Sequence, residues 1–366
     1  MNRSALSVVT VPDRPDVNPY QQLLRDALVR HGTRVSGLRY LTPRSAAETA
    51  EHADVVHLHW IEHVIGDPGP GPRRLPLLAA RSGRLVLALR ALRRLGVPVV
   101  WTIHNLRPHE RRIRWLDSGL QRHVFRACDS AIVHSDYART RVEKELGGRT
   151  PVAVVRHGNY EGVYPPERRS RAELRRALRL PQDAFVYLAF GLVREYKRLP
   201  EAIRAFRELH GDDLRFVVAG RPRSEELADA LRTTAAGDPR VRLDLERIAD
   251  EDVPAYHRAA DAAVLAYREV FSSGALMLAL TFGLPVVAPA GGAARETVGN
   301  PGLEEFEPGG LTGALERMRT GDRERRHATA RAAAERRSWD VVAAETLAVY
   351  EASLASARRR RSAANG

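Results

Sequence analysis

At 366 residues, 44% of them apolar, the chain exceeds one ordinary α/β core and suits two domains of roughly 150–180 residues, each able to bury its own interior. Its one cysteine, Cys128, excludes an internal disulfide and a thiolate zinc cluster, as expected of a reducing cytosol. The formal charge of +13 favours anionic partners, but the arginines are spread through every segment without an aromatic-studded groove, which argues against nucleic acid and leaves an anionic membrane surface beside plain compositional drift.

No stretch of about 18 uninterrupted apolar residues occurs, and MNRSALSVVT runs into a strand pattern with no basic-then-apolar leader, so a soluble, unexported protein is expected. Ser7–Val11 reads as the first strand. The Pro- and Asp-rich loop VPDRPDVNPY follows, then a helix over 20–30, the opening of a parallel α/β sheet. No GxGxxG accompanies this turn, which argues against a nicotinamide dehydrogenase. Further strands are predicted at 34–40, 54–58, 97–103, 130–134 and 152–156.

The loop HLHWIEHVIGDPGPGPRRLP carries His57, His59, Trp60, Glu62 and His63 ahead of a Gly/Pro run that excludes regular structure. Three histidines in seven residues invite a metal, but no carboxylate-rich partner segment stands nearby, so the loop is read as lining a cleft outside the strand ends. Over 85–95, Leu85, Leu89 and Leu92 share a helical face with Arg90, Arg93 and Arg94 beside it, which suits either a sheet-covering helix or a membrane surface. The buried strand in VVWTIHNLRPHERR then delivers Thr102, His104, Asn105, His109 and Glu110 at its carboxyl end, a local site signal.

A Pro-, Gly- and charge-rich linker over 158–171 puts a domain boundary near Val163. The second strand series begins at 185–190 and continues at 214–219, 262–266 and 285–288. Its first loop, GLVREYKRLPEAIRAFREL, sets Arg194 and Lys197 at a helix N-terminus where an anion is welcome. Lysine occurs only at 144 and 197 in this arginine-rich chain, so Lys197 is read as a position needing a compact ammonium. The stretch EVFSSGALMLALTFG supplies Glu269, a Ser272-Ser273-Gly274 turn with room for a phosphate, an apolar helix over 275–282 and a break at Gly283. A late helix is expected over 341–354, and the tail ARRRRSAANG as a frayed end.

Five stretches, NPYQQLLRDAL, DVVHLHW, VVWTIHNLRPHE, FGLVREYK and SSGALMLALTFGLPVVAPAGG, stand in an order that resembles the GT-B glycosyltransferases of family 4 and its relatives, over about residues 5–355. The HNLxPHE and HGxY stretches are similar to a bacterial exopolysaccharide and mannosyltransferase branch acting on lipid-linked sugars. The resemblance implies an α/β fold of GT-B type, two doubly wound Rossmann-like domains facing a shared cleft. Residues 1–162 would form an acceptor domain and 163–338 a nucleotide-sugar domain, with 339–366 crossing back to the first as a helix plus basic tail. It implies a hexose moved from a GDP- or UDP-sugar to a hydroxyl of a glycan, lipid-linked or small-molecule acceptor, at the cytoplasmic face of a membrane.

Carried onto this sequence, Gly191, Arg194 and Lys197, with Ser272, Ser273 and Gly274, would hold the donor diphosphate, so no divalent metal or cofactor is required. Glu269 would reach the donor sugar, and His104 or Glu110, with Glu62 third, would be the base of an inverting reaction. Asn18, Tyr20, His59, Trp60 and Asn105 would line the acceptor side. Three positions depart from the family pattern: Leu192 stands where an arginine usually follows the glycine, and Val270 and Leu278 stand where two glutamates often do. A sugar-nucleotide 2-epimerase of the same fold and a non-catalytic basic protein binding nucleic acid or membrane are the alternatives.

Overall fold

The computed structural model describes residues 5–14, 19–66, 69, 71–106 and 114–365, with side chains left out at 114–117 and 364–365. The chain divides into two compact units, Met1–His157 with Trp339–Gly366, and Gly158–Ser338.

The first unit is built on a six-stranded sheet of β1 (Ser7–Val11), β2 (Arg34–Gly37), β3 (Val55–Leu58), β4 (Val99–Thr102), β5 (Ser130–Val133) and β6 (Val152–Val154). All pairings are parallel, in the order β2-β1-β3-β4-β5-β6. Parallel strands covered by helices on both faces read as unbroken apolar runs, and every residue of β3, β4 and β5 is buried. On one face the Pro19–Arg30 helix brings Leu24 and Leu28 against Val8, Val55, Val100 and Ile132. The Trp339–Asn365 helix joins the same core through Val342, Ala343 and the fully buried Tyr350. Burying such side chains is worth about 1.5–3 kcal/mol each, which holds the C-terminal helix to this unit.

The second unit carries β7 (Phe185–Phe190), β8 (Leu214–Ala219), β9 (Val241–Asp244), β10 (Ala262–Val264), β11 (Val286–Pro289) and β12 (Leu303–Phe306), again all parallel, in the order β12-β11-β10-β7-β8-β9. Its core packs Tyr187, Phe206, Phe216, Ile203 and Met318. At the amino end of β7 the buried Asp261 carboxylate accepts from Arg171, Arg175 and Arg323, each at 2.7 Å, and from the Val186 amide at 2.8 Å. A buried carboxylate so fully paired is a fixed structural element rather than a reactive one.

Several expectations are revised. The first break falls at Gly158, ahead of Val163, because Asn159 and Tyr160 are already tied to the second unit, through Ala334, Arg337 and Thr281. Residues 61–65 form a short helix inside the loop read as irregular, and the helix expected over 85–95 starts at Arg74, with Pro76 accommodated in its first turn. The basic tail is helical to Asn365, and Arg360 pairs with the buried Asp129. Strands β9 and β12 were not anticipated.

Candidate functional site

In the first unit, strand order switches direction between β1 and β3, and ligands of such sheets collect beyond the carboxyl ends of the strands at that point. A histidine follows or ends nearly every strand there: His57 in β3 and His59 just after it, His104 after β4, His134 after β5 and His157 after β6. Their rings surround Tyr20, whose ring centroid lies 4.8 Å from His104, 5.0 Å from His157, 5.4 Å from His134 and 5.9 Å from His59. Trp60 stacks on His104 at 4.2 Å, and Trp339 closes on Tyr20 at 5.2 Å.

Hydrogen bonds fix these rings. His57 is locked between the Tyr350 hydroxyl, 2.6 Å from Nδ1, and Thr102 Oγ1, 2.7 Å from Nε2, which commits it to structure. His59 Nδ1 meets His104 Nε2 at 3.3 Å. His134 Nδ1 donates to the Val155 carbonyl at 2.8 Å. Burial disfavours the charged form, holding His57 down at about 3 and His134 at about 4, and pushing His59 and His104 well below the usual histidine range, with neighbouring imidazoles adding to the effect for His57, His59 and His104. At neutral pH His57, His59, His104 and His134 are therefore packed as uncharged imidazoles. Among the described residues no group of three or more His, Cys, Asp or Glu is arranged to hold a metal ion.

Of the residues expected here, Tyr20, His59 and His104 come together and are buried, Trp60 is half-buried against them, and Asn105 is half-buried beyond β4. Asn18 and Glu110 lie outside the described residues. His134, His157, Trp339 and Tyr350 had not been singled out as site residues. Their signal was the recurrence of a short apolar run ending in histidine, in IVH and VVRH as in VVHLH and WTIH.

The second unit switches direction between β7 and β10, and the two loops expected to meet the donor start from those two strands. Gly191 follows β7 with φ at 87°, a conformation that side chains rarely adopt, and a Cβ there would be in ordinary contact with Lys197 Nζ at 3.6 Å. Lys197 is not at the start of an α-helix, as expected from sequence, but closes a 3₁₀ turn, Glu195–Lys197, ahead of the Leu199–Arg207 helix. Its ammonium folds back to donate to the Phe190 carbonyl at 3.0 Å and is 6% exposed. Burial, with help from the neighbouring Arg194 charge, lowers it to about 8. No carboxylate pairs with Lys197 among the described residues. Leu192, at the position where the family usually has arginine, is exposed.

The second loop joins the first through rings: Tyr196 lies 5.3 Å from Tyr267, and the Tyr267 hydroxyl bonds the Ser273 side chain. Ser273 is the N-cap of the Gly274–Thr281 helix, its hydroxyl accepting from the Leu276 amide at 3.1 Å. On its Cβ side Gly274 faces Tyr160, whose hydroxyl would be 2.8 Å from a Cβ at 274. Ser272 is half-buried and Glu269 exposed, whereas Val270 and Leu278 are buried apolar positions that supply no carboxylate.

The sequence pattern described as Glycosyltransferase Family 4 matches residues 17–159, and that of Glycosyl transferases group 1 matches residues 170–335. A D-inositol 3-phosphate glycosyltransferase of Nocardioides sp. is 30% identical over 353 residues, covering 86% of this chain and 70% of the relative. The chain belongs to the group 1, family 4-like glycosyltransferases.

The transferase is also 28% identical over 336 residues to a GDP-mannose:glycolipid 4-beta-D-mannosyltransferase of Xanthomonas campestris pv. campestris, covering 87% of this chain and 85% of that one. In fold it matches a sucrose-phosphate synthase from Thermosynechococcus elongatus with a TM-score of 0.71 at 14% identity, over 96% of this chain and 100% of that one. The two sheets are those of the GT-B fold, and the enzyme performs nucleotide-sugar glycosyl transfer. The matches support neither an epimerase nor a non-catalytic basic protein.

Proposed function

We propose that the transferase moves a hexose from GDP-mannose, or a related GDP- or UDP-sugar, to a hydroxyl of a lipid-linked glycan, working as a peripheral protein on the inner face of a membrane. The observation that carries the donor assignment is Lys197, an almost wholly buried ammonium with a carbonyl and another cation beside it and no counter-charge among the described residues. A nucleoside diphosphate supplies the missing charge. As the bond from the anomeric carbon to the diphosphate oxygen breaks, the electron pair stays on the diphosphate, and Lys197 and Arg194 stabilise it. Gly191 lets the backbone approach, and Ser272, Ser273 and Gly274 lie beside the same loop. On this reading no divalent metal is needed.

The acceptor side belongs to the histidine edge. The acceptor oxygen attacks the anomeric carbon and its proton passes to a base, His104 or Glu110, with His59, Trp60, Tyr20, Asn18 and Asn105 shaping the approach. The Xanthomonas relative is named for a β-linkage. If the donor is an α-glycosyl diphosphate, such a product requires inversion and hence a base, which favours this reading over internal return. No helix among the described residues is long and apolar enough to cross a membrane, so a lipid-linked acceptor would be met from the surface.

A thermal-shift panel of GDP, UDP and dTDP with their hexose conjugates tests the donor assignment, because a ligand at about 100 times its Kd stabilises the folded state by about 2.7 kcal/mol. One base should raise the melting temperature, and Lys197→Met should remove that rise while keeping its own cooperative melt. An undiminished shift in Lys197→Met would overturn the diphosphate assignment.

A further inference from the structure

We propose that the transferase docks on anionic bilayers through one continuous surface of its first unit, formed by the outer face of the Arg74–Leu95 helix and extended by the last turns of the C-terminal helix. This rests on the peripheral association proposed above and names where it occurs. The Arg74–Leu95 helix contains six arginines and no acidic residue. Its buried side, Leu78, Leu85, Leu89 and Leu92, accounts for the sheet-covering role. The opposite side is not ordinary solvated surface. Of the eight large apolar side chains exposed among the described residues, four are on this one helix: Leu75, Leu77, Leu87 and Leu95, 41 to 54% exposed.

Exposed arginines alternate with these leucines, and Arg84, Arg90, Arg93 and Arg94 make no ion pair among the described residues. Arg93 and Arg94 would suit any helix C-terminus, but the dipole acts only within the last turn and gives no reason for Arg84, Arg90 or the leucines. The C-terminal helix adds to the same surface. Arg361 lies against Gly96, the left-handed cap of the Arg74–Leu95 helix, while Arg360 is anchored on Asp129, whose other oxygen accepts from Val99 at the start of β4. Arg358 and Arg359 are exposed beside this junction.

The partner follows from the mixture. A phosphate backbone alone pairs with arginines but leaves exposed leucines in water, and the outer face of this helix has no aromatic ring on which a base could stack. An anionic bilayer satisfies both groups, taking leucines into the acyl boundary and guanidinium groups among the head groups. The geometry also serves catalysis. In a parallel sheet the helix between β3 and β4 runs from the carboxyl ends of the strands to their amino ends, so the docked helix, about 33 Å long, brings the acceptor edge to the lipid surface.

The test is co-sedimentation of the full chain, without sugar nucleotide, with vesicles of phosphatidylcholine alone or with phosphatidylglycerol. Wild type should sediment only with the anionic vesicles. Arg84→Glu, Arg90→Glu and Arg94→Glu together should weaken this at least about tenfold. Leu77→Ser with Leu87→Ser should weaken it to a similar degree without altering charge, and serves if the charge-reversed protein fails to fold. Undiminished vesicle binding by both variants, or no anionic-vesicle binding by wild type, overturns the surface. So does duplex DNA binding of equal strength that ignores the leucine changes. The GDP-induced thermal shift should be unaltered in both variants. A missing shift in wild type would count against the donor reading alone, and failure of vesicle binding against the membrane surface alone.

Discussion

The two strand-end edges are built from opposite materials. The first unit collects imidazoles and aromatic rings, with His57, His59, His104 and His134 kept neutral by burial, and the second presents a buried ammonium with Arg194 beside it and, among the described residues, no carboxylate paired to it. The second unit also shows what charge burial looks like when it is only structural: Asp261 is surrounded by three arginines and a backbone amide. Measured against that, Lys197 is incomplete by one anion. His104 is of another kind, a buried imidazole held neutral and bonded to His59. The contrast fits a division of labour in which one edge receives a proton and the other receives negative charge, the two consequences of one glycosyl transfer.

The largest way to break this comparison is at His104. His104→Ala should lower kcat by about 10²–10⁴-fold if the imidazole is the base, with little change in the GDP-induced thermal shift. Parallel steady-state kinetics on Glu110→Gln decides between the two candidates, because the variant with the larger fall that also loses the acid limb of the pH profile has lost the base. Unchanged kcat in His104→Ala would make the histidine edge a packing feature.

A smaller effect is expected from pH. Lys197 must be charged to hold a diphosphate, so the affinity for GDP should fall as pH rises past about 8, and the fall should disappear in Lys197→Arg. Stability moves the other way: a lysine with a lowered folded value is costly below about 8, and that cost is relieved as pH rises toward the unfolded value of 10.5. In the first unit, His57 at about 3 and His134 at about 4 lie below the unfolded value of 6.5, so below 6.5 the unfolded chain binds more protons and stability falls with pH. Hydrogen exchange at about pH 7 and pH 5 should therefore show more protection lost from β3 and β4 than from β7 and β8. Equal losses in the two units would contradict the neutral-imidazole description.

Much of the fold was legible because the inner strands are unbroken apolar runs: Ser7–Val11, Phe185–Phe190 and Leu214–Ala219 stand as expected. Strands β9 and β12, VRLD and LEEF, escaped because they are edge strands whose alternating charges are paired locally, Arg242 to Asp244 and Arg317 to Glu304. The tail looked frayed because its order comes from Asp129 and Gly96, far away in sequence. For the site, lysine scarcity pointed to Lys197, but its carbonyl contact and the absence of a paired carboxylate required coordinates. The histidine edge was only half legible: the runs IVH and VVRH stand in the sequence, but the approach of His134 and His157 to Tyr20 comes from topology. The neighbour of Gly274 was illegible for the same reason, being Tyr160, more than a hundred residues earlier.

That contact leads to the smallest effect. Gly274 is the first residue of its helix, where alanine should be better than glycine by up to about 1 kcal/mol through chain entropy. A Cβ would however stand 2.8 Å from the hydroxyl of the buried Tyr160, and overpacking of this kind costs about 1–3 kcal/mol. Gly274→Ala should therefore be mildly destabilising in wild type. In a Tyr160→Phe background the hydroxyl is gone, the entropic gain remains, and the same substitution should become neutral or stabilising. A double-mutant cycle by urea unfolding should give a coupling of about 0.5–2 kcal/mol, with any other contact of the hydroxyl cancelling because it is lost on both sides. Zero coupling would mean that Tyr160 does not press on the helix start.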